Sequence, residues 1–459
     1  MDAEVSGEGV GVDNRHAEAV IIPPGAHPIE EKHLDREALK VLYRLRGAGY
    51  KGYLVGGGVR DLYLGKRPKD FDISTDARPG QLRKLFRNSR TIGRRFRLVQ
   101  VFFRGNKVIE VSTLRSQSEH DLDGPEEILP QNNTYGTLAE DAFRRDLTIN
   151  SLFYEIEHHT IIDYTGGVAD LEDRIVRVVG DPDRRFTRDP VRMLRAIRHS
   201  ARTGFALEAE TLSAIDRHHS KLNLCPSARL RDELLKDLQS GSSRAWVELC
   251  LQTPVWTHLF PMYRSWLQED NHSGCREQLL ACMEALDRVH HHRAAGNNVV
   301  VPVHMLFATL LLAWALRHFC LTEAQPRGRA YQRFVGAIRT DLNQYFCEQF
   351  NMKRGIKEGI ASLLINFPVF YRAHQDHAMP KWLQRKSYFR EGTRFFSLYR
   401  HAMEGTDIPF EWFALKEPNS SSPLNMIENT GSSKSSNGRR RWNPAFSSTK
   451  TGVFGLRRH

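Results

Sequence analysis

The chain has 459 residues, of which 40% are hydrophobic and 26% charged, a balance typical of globular proteins. This composition excludes a fibrous chain and a wholly disordered one, and the length suggests about three domains. Lysine and arginine total 66 against 54 acidic residues, so the net charge is +12. A surplus of this size favours a polyanionic partner, either nucleic acid or an anionic membrane.

The two ends of the chain differ from its middle. Residues 1–34 carry seven acidic and two basic residues and are rich in glycine and proline, which predicts a flexible arm. Residues 417–459 are rich in serine, asparagine and glycine, which predicts a disordered basic tail. The charges of these ends cancel, so the positive surplus lies in the middle. The six cysteines lack CxxC spacing, and no signal peptide pattern is present, which together predict a cytoplasmic location.

The secondary structure predicted between the two ends of the chain changes from a mixture of strands and helices to helices. A helix is expected at 35–47 with Asp35 as its cap, and a second one at 81–86. Short apolar runs predict strands at 53–55, 71–73, 98–103 and 108–111. After about residue 183 the pattern is almost wholly helical. We therefore predict an α+β fold with a head domain at 35–155, a helical neck at 156–245 and a helical body at 246–416.

The longest uncharged stretch, residues 299–316, predicts a buried core helix. It is interrupted by Pro302, His304 and Thr309, so it does not resemble a membrane span.

A glycine cluster follows the first strand of the head. Gly56, Gly57 and Gly58 precede a predicted helix, an arrangement that lets a backbone approach a phosphate closely. Arg60 could add a charge-assisted contact. A plain strand-to-helix turn gives the same pattern, so the cluster alone is weak evidence.

Asp70 and Asp72 strengthen the case for a phosphate site. Residues i and i+2 of a strand share a face, so the two carboxylates would point the same way. Magnesium prefers hard oxygen ligands and is often held by carboxylates plus substrate phosphate. A third carboxylate has two candidates, Glu110 within an apolar strand and Asp146 in the segment RRDLTIN. A charged residue in an apolar strand is costly unless paired or metal-bound, which favours Glu110 on physical grounds.

Four ordered motifs, GGGVRD, DFDIST, RRDLTIN and RDPVRMLRAIR, resemble those of the bacterial class II tRNA nucleotidyltransferase and poly(A) polymerase family. The resemblance implies a polymerase-β-like nucleotidyltransferase head followed by an all-α neck, body and tail. It assigns base recognition and RNA binding to the neck at 156–245 and RNA binding to the body at 246–416. It also implies Asp70, Asp72 and Asp146 as catalytic residues, the first two as metal ligands. Nucleotide-binding positions in the head would be Gly57, Gly58, Arg60 and Arg145.

Residues 188–198 predict a helix with Pro190 in its first turn and Asp189 as its cap. At 100° per residue, one face carries a row of arginines and the other packs: the arginines are Arg188, Arg192, Arg195 and Arg202, and the packing residues are Met193, Leu194, Ile197 and Ala201. By resemblance, Asp189 and Arg192 would hydrogen-bond the base of ATP, with Arg195 assisting. The family usually has Glu where this chain has Arg188.

A basic segment separates the two branches of this family. Residues 91–99, TIGRRFRLV, resemble the poly(A) polymerases, whereas the tRNA enzymes differ there. Residues 83–104 carry eight basic residues and no acidic one, which suits an RNA backbone or a triphosphate. We therefore expect Arg94, Arg95 and Arg97 to bind RNA.

These patterns predict template-independent transfer of AMP from ATP to RNA 3′ ends, with two Mg²⁺ ions. The expected partners are RNA, ATP and the RNA-degradation machinery, but no membrane, and a monomer is expected. Two alternatives remain: a CCA-adding tRNA nucleotidyltransferase, and a non-catalytic RNA-binding protein that kept the fold.

Overall fold

A mixed sheet forms the first part of the computed structural model, which describes residues 18–93, 97–116, 135–268, 273–297 and 299–414. The strands are β1 (Val20–Ile22), β2 (Gly52–Val55), β3 (Asp72–Thr75), β4 (Ser89–Ile92), β5 (Leu98–Phe102), β6 (Val108–Thr113), β7 (Phe153–Glu155), β8 (Thr160–Asp163), β9 (Ile175–Val176) and β10 (Ala206–Leu207). The large sheet has the order β1-β8-β7-β2-β3-β6-β5-β4, and β9 pairs with β10. Within the large sheet β3 and β6 are parallel, and all other neighbours are antiparallel.

Helices cover the sheet and then form the rest of the described chain. They are α1 (Arg36–Gly47), α2 (Gly57–Tyr63), α3 (Pro79–Leu85), α4 (Leu138–Phe143), α5 (Gly167–Glu172), α6 (Pro182–Arg188), α7 (Val191–Thr203), α8 (Ala209–His218), α9 (Ser227–Leu238), α10 (Ser243–Leu251), α11 (Val255–Leu259), α12 (Arg264–Gln268), α13 (Ser273–Ala294), α14 (Val303–His318), α15 (Gly328–Leu342), α16 (Arg354–Gln375), α17 (Lys381–Gln384) and α18 (Phe389–Glu404). The predicted α+β class is confirmed.

Helix α1 packs on the sheet as its sequence pattern predicts. The Asp35 carboxylate accepts hydrogen bonds from the backbone N–H groups of Glu37 and Ala38, at 2.9 and 3.2 Å. Such a cap satisfies donors that the first helical turn leaves free. Val41 and Leu45, one turn apart, are fully buried against the sheet core. The capped start and the apolar stripe together fix the helix over the strands that carry the site.

The expected flexible arm is wrong for residues 18–34. Strand β1 pairs with β8, so Val20 lies opposite Asp163 at the edge of the sheet. Ile29 and Leu34 are buried in the core. The aliphatic run before the proline pair extends the sheet, and the prolines with Gly25 form the turn that follows. Residues 1–17 lie outside the described residues.

The helical body is built around α14. Its residues from Met305 to Leu316 are all buried, as the uncharged stretch predicts. A helix that is apolar on every side belongs inside a protein, and α14 contacts α13 and α16. Within the described parts of the chain, no helix combines the length and apolar character that a membrane crossing needs.

The described residues belong to one unit that ends at Leu415. The divisions near residues 155 and 245 therefore stay predictions. The sheet itself continues past residue 155, because β8 adds residues 160–163 to it. The predicted tail at 417–459 lies outside the described residues.

Candidate active site

A cleft of about 550 Å³ lies where the sheet meets α7 and α9. Most of its lining side chains are charged, with two carboxylates on strands, two on connecting segments, and arginines around them. The lining residues are Val55, Asp72, Leu98, Glu110, Ser112, Arg115, Arg144, Arg145, Asp146, Asp189, Arg192, Arg195 and Arg229. Seven of the candidate residues from the sequence therefore meet in one place: Asp72, Glu110, Arg145, Asp146, Asp189, Arg192 and Arg195.

Two carboxylates lie side by side on the floor of the cleft. Strands β3 and β6 are parallel, and their register places Asp72 directly beside Glu110. Glu110 Oε1 accepts a hydrogen bond of 2.9 Å from Gln100 Nε2 on β5, which orients this carboxylate. Partial burial, together with the negative charges of Glu110 and Asp70, raises the pKa of Asp72 to about 6, although the nearby Arg145 charge opposes the shift. Two carboxylates are thus held side by side on adjacent strands.

Asp70 lies two residues before this strand begins. The expected strand at 71–73 begins instead at Asp72, so the expectation that Asp70 and Asp72 share a strand face is wrong. Asp70 is exposed in the preceding loop, near enough to Asp72 for its charge to affect the Asp72 pKa. Its proposed role as a metal ligand stays a prediction.

Asp146 is engaged by an arginine. Arg195 Nε donates to Asp146 Oδ2 at 2.6 Å, and the Leu147 N–H donates to Asp146 Oδ1 at 3.0 Å. Although burial opposes its ionisation, the charges of Arg195 and Arg192 hold the pKa of Asp146 well below its usual range. Of the two candidates for a third carboxylate, Glu110 is the one beside Asp72 on the neighbouring strand.

The donor set fits a divalent cation. Asp72 and Glu110 offer hard oxygen ligands, and their mutual repulsion is the kind that a bound Mg²⁺ relieves. In the described part of the chain, no group of three or more Asp, Glu, His or Cys side chains is already arranged as a metal site. Two carboxylates plus substrate phosphate are the usual ligands of Mg²⁺, so a pre-formed protein cage is not required.

The glycine turn has a packing role. Gly56 has φ +68°, which allows the sharp change from β2 to α2. A Cβ on Gly57 would lie 3.3 Å from Arg60 Nη2, and a Cβ on Gly58 would lie 3.5 Å from the Asp70 carbonyl. Gly58 thus lies at ordinary van der Waals distance from the loop that carries Asp70, and only Gly57, beside the flexible Arg60 side chain, is more closely packed. Nucleotide binding by Gly57 and Gly58 stays a prediction.

Arg60 is buried below the cleft. Its guanidinium donates to Asp61 at 2.7 Å and to the Asn150 side chain at 2.6 Å, and it contacts His199 Nδ1 at 3.2 Å. Burial, together with the Arg60 charge, lowers the pKa of His199 to about 3, so the imidazole is neutral. Arg60 thus joins α2 to α7. Its predicted contact with ATP stays a prediction.

Sequence reasoning missed Asp141, which orients two arginines. Its fully buried carboxylate pairs with Arg144 at 2.6 Å and with Arg145 at 2.8 Å. Burial raises its pKa, but the two guanidinium charges outweigh this and lower the pKa overall. Arg145 also donates to Ser74 Oγ at 3.3 Å and lies over the Phe153 ring. The spacing i, i+3 and i+4 from Asp141 was the available signal.

The arginine helix differs from its prediction in two ways. Residues 182–188 and 191–203 form separate helices, α6 and α7, so Arg188 does not continue the face that carries Arg192 and Arg195. The Asp189 side chain does not cap α7, because it forms an ion pair of 2.8 Å with Arg229 on α9. Met193, Leu194 and Ile197 are buried as predicted.

Arg229 was also missed, and a buried ion pair fixes the helix that carries it. Arg198 on α7 is buried against Glu233 at 2.6 Å and against Asp237, both on α9. These contacts hold α7 and α9 together, so Arg229 reaches Asp189. Removing one partner of a buried pair leaves an uncompensated charge, so loss of any of these three side chains should weaken the contact between α7 and α9.

The basic hairpin borders the cleft. Strands β4 and β5 form the edge of the sheet, and Leu98, at the start of β5, lines the cleft. Arg97 is exposed next to it. Arg94 and Arg95 lie outside the described residues, and RNA binding by all three arginines stays a prediction.

Two family models and several known proteins are similar to this chain. Residues 52–177 match the family model of the poly A polymerase head domain, and residues 204–267 match one described as a probable RNA and SrmB-binding site of polymerase A. Poly(A) polymerase I of Escherichia coli O6:H1 is 42% identical over 338 residues, which cover 72% of this chain and 71% of that protein. The chain belongs to the poly(A) polymerase I family. The relatives also include the CCA-adding enzyme of Bacillus subtilis, 36% identical over 228 residues, 50% of this chain and 56% of that enzyme.

Solved structures of the CCA-adding family share the fold. The Bacillus stearothermophilus CCA-adding enzyme in complex with CTP aligns with a TM-score of 0.58 at 24% identity, covering 84% of this chain and 81% of that one. A tRNA nucleotidyltransferase complexed with a primer tRNA and an incoming ATP analogue aligns with a TM-score of 0.54 at 20% identity, covering 81% and 96%. The predicted nucleotidyltransferase head is confirmed, and the family supports an enzyme of the polynucleotide adenylyltransferase class.

Asp72→Asn is expected to stabilise the metal-free protein at pH 8. The raised pKa means that the folded chain binds a proton more tightly than the unfolded chain, so this group adds stability as pH falls through about 6 and costs stability above it. After discounting for solvent screening, the gain is about 1 kcal/mol. Thermal unfolding in EDTA at pH 8 and pH 5 measures it.

The stabilisation by Asp72→Asn should be smaller at pH 5 than at pH 8. Addition of Mg²⁺ at pH 8 should also reduce it. The exposed carboxylate Asp216, changed to Asn, is the control and should show no such pH-dependent gain. A destabilised Asp72→Asn protein at pH 8 would contradict the charge repulsion described above.

Proposed function

We propose that this chain adds AMP from ATP to RNA 3′ ends without a template and releases pyrophosphate. The observation that carries the proposal is the cleft, where the carboxylates Asp72 and Glu110 face the arginines of the head and the Asp189–Arg192 pair. Membership in the poly(A) polymerase I family supports ATP as the substrate and polyadenylation as the outcome.

The carboxylates would hold two Mg²⁺ ions, with Asp70 and Asp72 as ligands and Glu110 as the third carboxylate. Bound there, divalent ions lower the pKa of the attacking RNA hydroxyl and offset the charge of the leaving pyrophosphate. The RNA 3′-oxygen forms a bond to the α-phosphorus of ATP, and the bond from that phosphorus to the bridging oxygen breaks. Asp70, Asp72 and Glu110 must be ionised to serve as ligands, and a bound cation favours their ionised form.

The arginines around the cleft would neutralise the triphosphate. Arg144 and Arg145 are held in place by the buried Asp141, so they do not have to reorganise when substrate arrives. Fixed charges aimed at a developing anion stabilise a transition state more than mobile ones do.

Base selection would depend on Asp189 and Arg192. A carboxylate accepts from the exocyclic amine of adenine or cytosine, and a guanidinium donates to a ring acceptor. Arg192 is oriented by the backbone carbonyls of Arg145 and Arg144, at 3.2 and 3.4 Å, and Asp189 by Arg229. Both side chains are therefore held in place at this side of the cleft, and fixed side chains favour a base of one size.

Arg229→Gln is expected to relax the choice between ATP and CTP. Without its partner, Asp189 can rotate, and the ratio of kcat/KM for ATP over CTP should fall by about tenfold. Single-nucleotide addition to an oligonucleotide measures both constants. Arg231→Gln, two positions along the same helix with its side chain bonded to Asp232 and the Asn351 carbonyl, is the matched control. An unchanged ratio in Arg229→Gln would show that Asp189 does not depend on this pair.

Glu110→Gln and Asp146→Asn should separate the two candidate carboxylates. Loss of the Glu110 charge beside Asp72 should lower kcat by about a hundredfold or more with a small change in KM, because the effect is on the chemical step. Loss of the Asp146 charge frees Arg195, so the change should appear mainly in the KM for ATP. Steady-state kinetics with both variants provides the comparison. A greater kcat loss in Asp146→Asn would assign the third carboxylate to Asp146.

The substrate itself is tested by incubating the protein with an unstructured RNA, or with tRNA lacking CCA, and each labelled nucleotide in turn. Long tails made from ATP alone are expected. Incorporation of two C residues and one A on tRNA would favour the CCA-adding enzyme instead, whose family is also among the relatives. No incorporation by the wild type would favour a non-catalytic RNA-binding protein. Asp72→Ala serves as the inactive control.

The remaining expectations extend this proposal. Residues 204–267, which span α8 to α12, would contribute RNA contacts, since they match a model described as RNA-binding. A cytoplasmic location, a monomeric state and an association with the RNA-degradation machinery stay predictions.

A further inference from the structure

Two serine side chains lie on the floor of the cleft beside the paired carboxylates. The register of β3 and β6 places Ser74 beside Ser112, two residues beyond Asp72 and Glu110 on the same strands. Side chains two residues apart on a strand share a face, so the serines and the carboxylates point to the same side of the sheet. Ser74 is fully buried, whereas Ser112 is half-buried and lines the cleft.

The two serines form a directed chain of hydrogen bonds with Arg145. Arg145 Nη2 donates to Ser74 Oγ at 3.3 Å, and the Oγ atoms of the two serines are 3.2 Å apart. Ser112 Oγ donates to the Ile73 carbonyl at 3.4 Å. A hydroxyl has one proton, so Ser112 cannot also donate to Ser74, and the proton between the serines comes from Ser74. This hydroxyl chain therefore runs from Arg145 through Ser74 to Ser112.

The last bond of the hydroxyl chain is the one that a ligand can replace. Its length of 3.4 Å exceeds the length of about 2.7 Å that is usual for a hydroxyl donor, so the bond is weak. Rotation about the Cβ–Oγ bond turns the Ser112 proton from the Ile73 carbonyl towards the cleft. Ser74 still donates to Ser112 after this rotation, so the rest of the chain is kept.

The neighbours of Ser112 favour an anionic acceptor. Arg144 and Arg145, both oriented by the buried Asp141, line the cleft together with Ser112. Glu110, the candidate third carboxylate for Mg²⁺, precedes Ser112 by about 7 Å along the same strand. A ligand oxygen at Ser112 would thus have a guanidinium and the proposed metal site as neighbours, an environment typical of a phosphate oxygen.

We propose that Ser112 donates a hydrogen bond to a non-bridging phosphate oxygen of bound ATP, and that Ser74 positions the Ser112 hydroxyl through the chain. This inference rests on the proposed function for the identity of the ligand. It adds a neutral, directional donor to the charged groups around the triphosphate. Ser112 lies outside the four sequence motifs, so the packing of β6 against β3 is what reveals it.

Ser112→Val and Ser112→Thr test the hydroxyl, because these two side chains have nearly the same shape and share any packing cost. Binding of inorganic tripolyphosphate with Mg²⁺ is measured by calorimetry, without RNA. Ser112→Val should bind about tenfold more weakly than the wild type, the usual loss for a hydrogen bond to a charged group, and Ser112→Thr within about twofold. Wild-type affinity in Ser112→Val, equal losses in both variants, or no binding by the wild type would overturn the proposal.

Phosphorothioate analogues of ATP test the contact during AMP transfer. Sulfur is a weak acceptor, so replacing the contacted oxygen should lower kcat/KM in the wild type, and Ser112→Val should lose most of this discrimination. The preference of Mg²⁺ for oxygen affects both proteins alike and cancels in the comparison. Each diastereomer of ATPαS and ATPβS, and ATPγS, is compared with ATP. Thio effects of equal size in the two proteins at every position would contradict the contact.

Ser74→Ala tests the positioning through the hydroxyl chain. Its loss of tripolyphosphate affinity should be less than additive with that of Ser112→Val, because both changes act on the same donor. Ser89→Ala is the matched control, since it removes a buried hydroxyl from β4 of the same sheet that donates to the Phe86 carbonyl. Fully additive losses, or an equal loss in Ser89→Ala, would overturn the role of Ser74.

The outcome is separable from that of the proposed function. Tripolyphosphate binding is measured without a base, an RNA end or AMP transfer, so it is observed even if the chain is not a polymerase. Failure of the catalytic proposal would appear in the wild type with every nucleotide. Failure of the present proposal would appear as equal tripolyphosphate affinity in the wild type and in Ser112→Val.

Discussion

The parallel pairing of β3 with β6 is the constraint on which the site depends. It fixes Asp72 beside Glu110, and burial together with the like charge of Glu110 raises the pKa of Asp72. The surrounding antiparallel strands and α1 bury the other face of the sheet and supply the packing energy that keeps this arrangement in place. The sheet therefore holds two carboxylates that repel each other, and a cation with bound triphosphate can relieve this repulsion.

The positive side of the cleft follows a different rule, because most of its lining arginines are paired with a carboxylate. Asp141 holds Arg144 and Arg145, Asp146 holds Arg195, and Asp189 is held by Arg229. Long flexible cations would otherwise lose considerable conformational entropy on binding substrate. These arginines are already ordered before substrate arrives. The cleft therefore has the preorganised electrostatics that phosphoryl transfer needs.

The sequence predicted local features well and long-range partners poorly. The capped helix α1, the central strands and the buried α14 follow from periodicity and caps, which are local properties. Asp72, Asp146 and the arginines of α7 were found because they lie in compact motifs. The pairing of Asp72 with Glu110 depends on strand order, which a single sequence does not contain. Arg229 meets Asp189 only through the packing of α9 on α7, and β1 joins the sheet only through β8.

The strand order also determines when the site can exist during synthesis. Strands β2, β3 and β6 emerge within residues 52–113, but β7, which flanks β2, comes from residues 153–155. The Asp189–Arg229 pair needs α9, which ends at Leu238. A nascent chain therefore contains the clustered carboxylates of the sheet well before the opposite side of the cleft can form. Non-local pairings of this kind fold slowly, and about half of the polypeptide must be synthesised before the whole cleft can assemble.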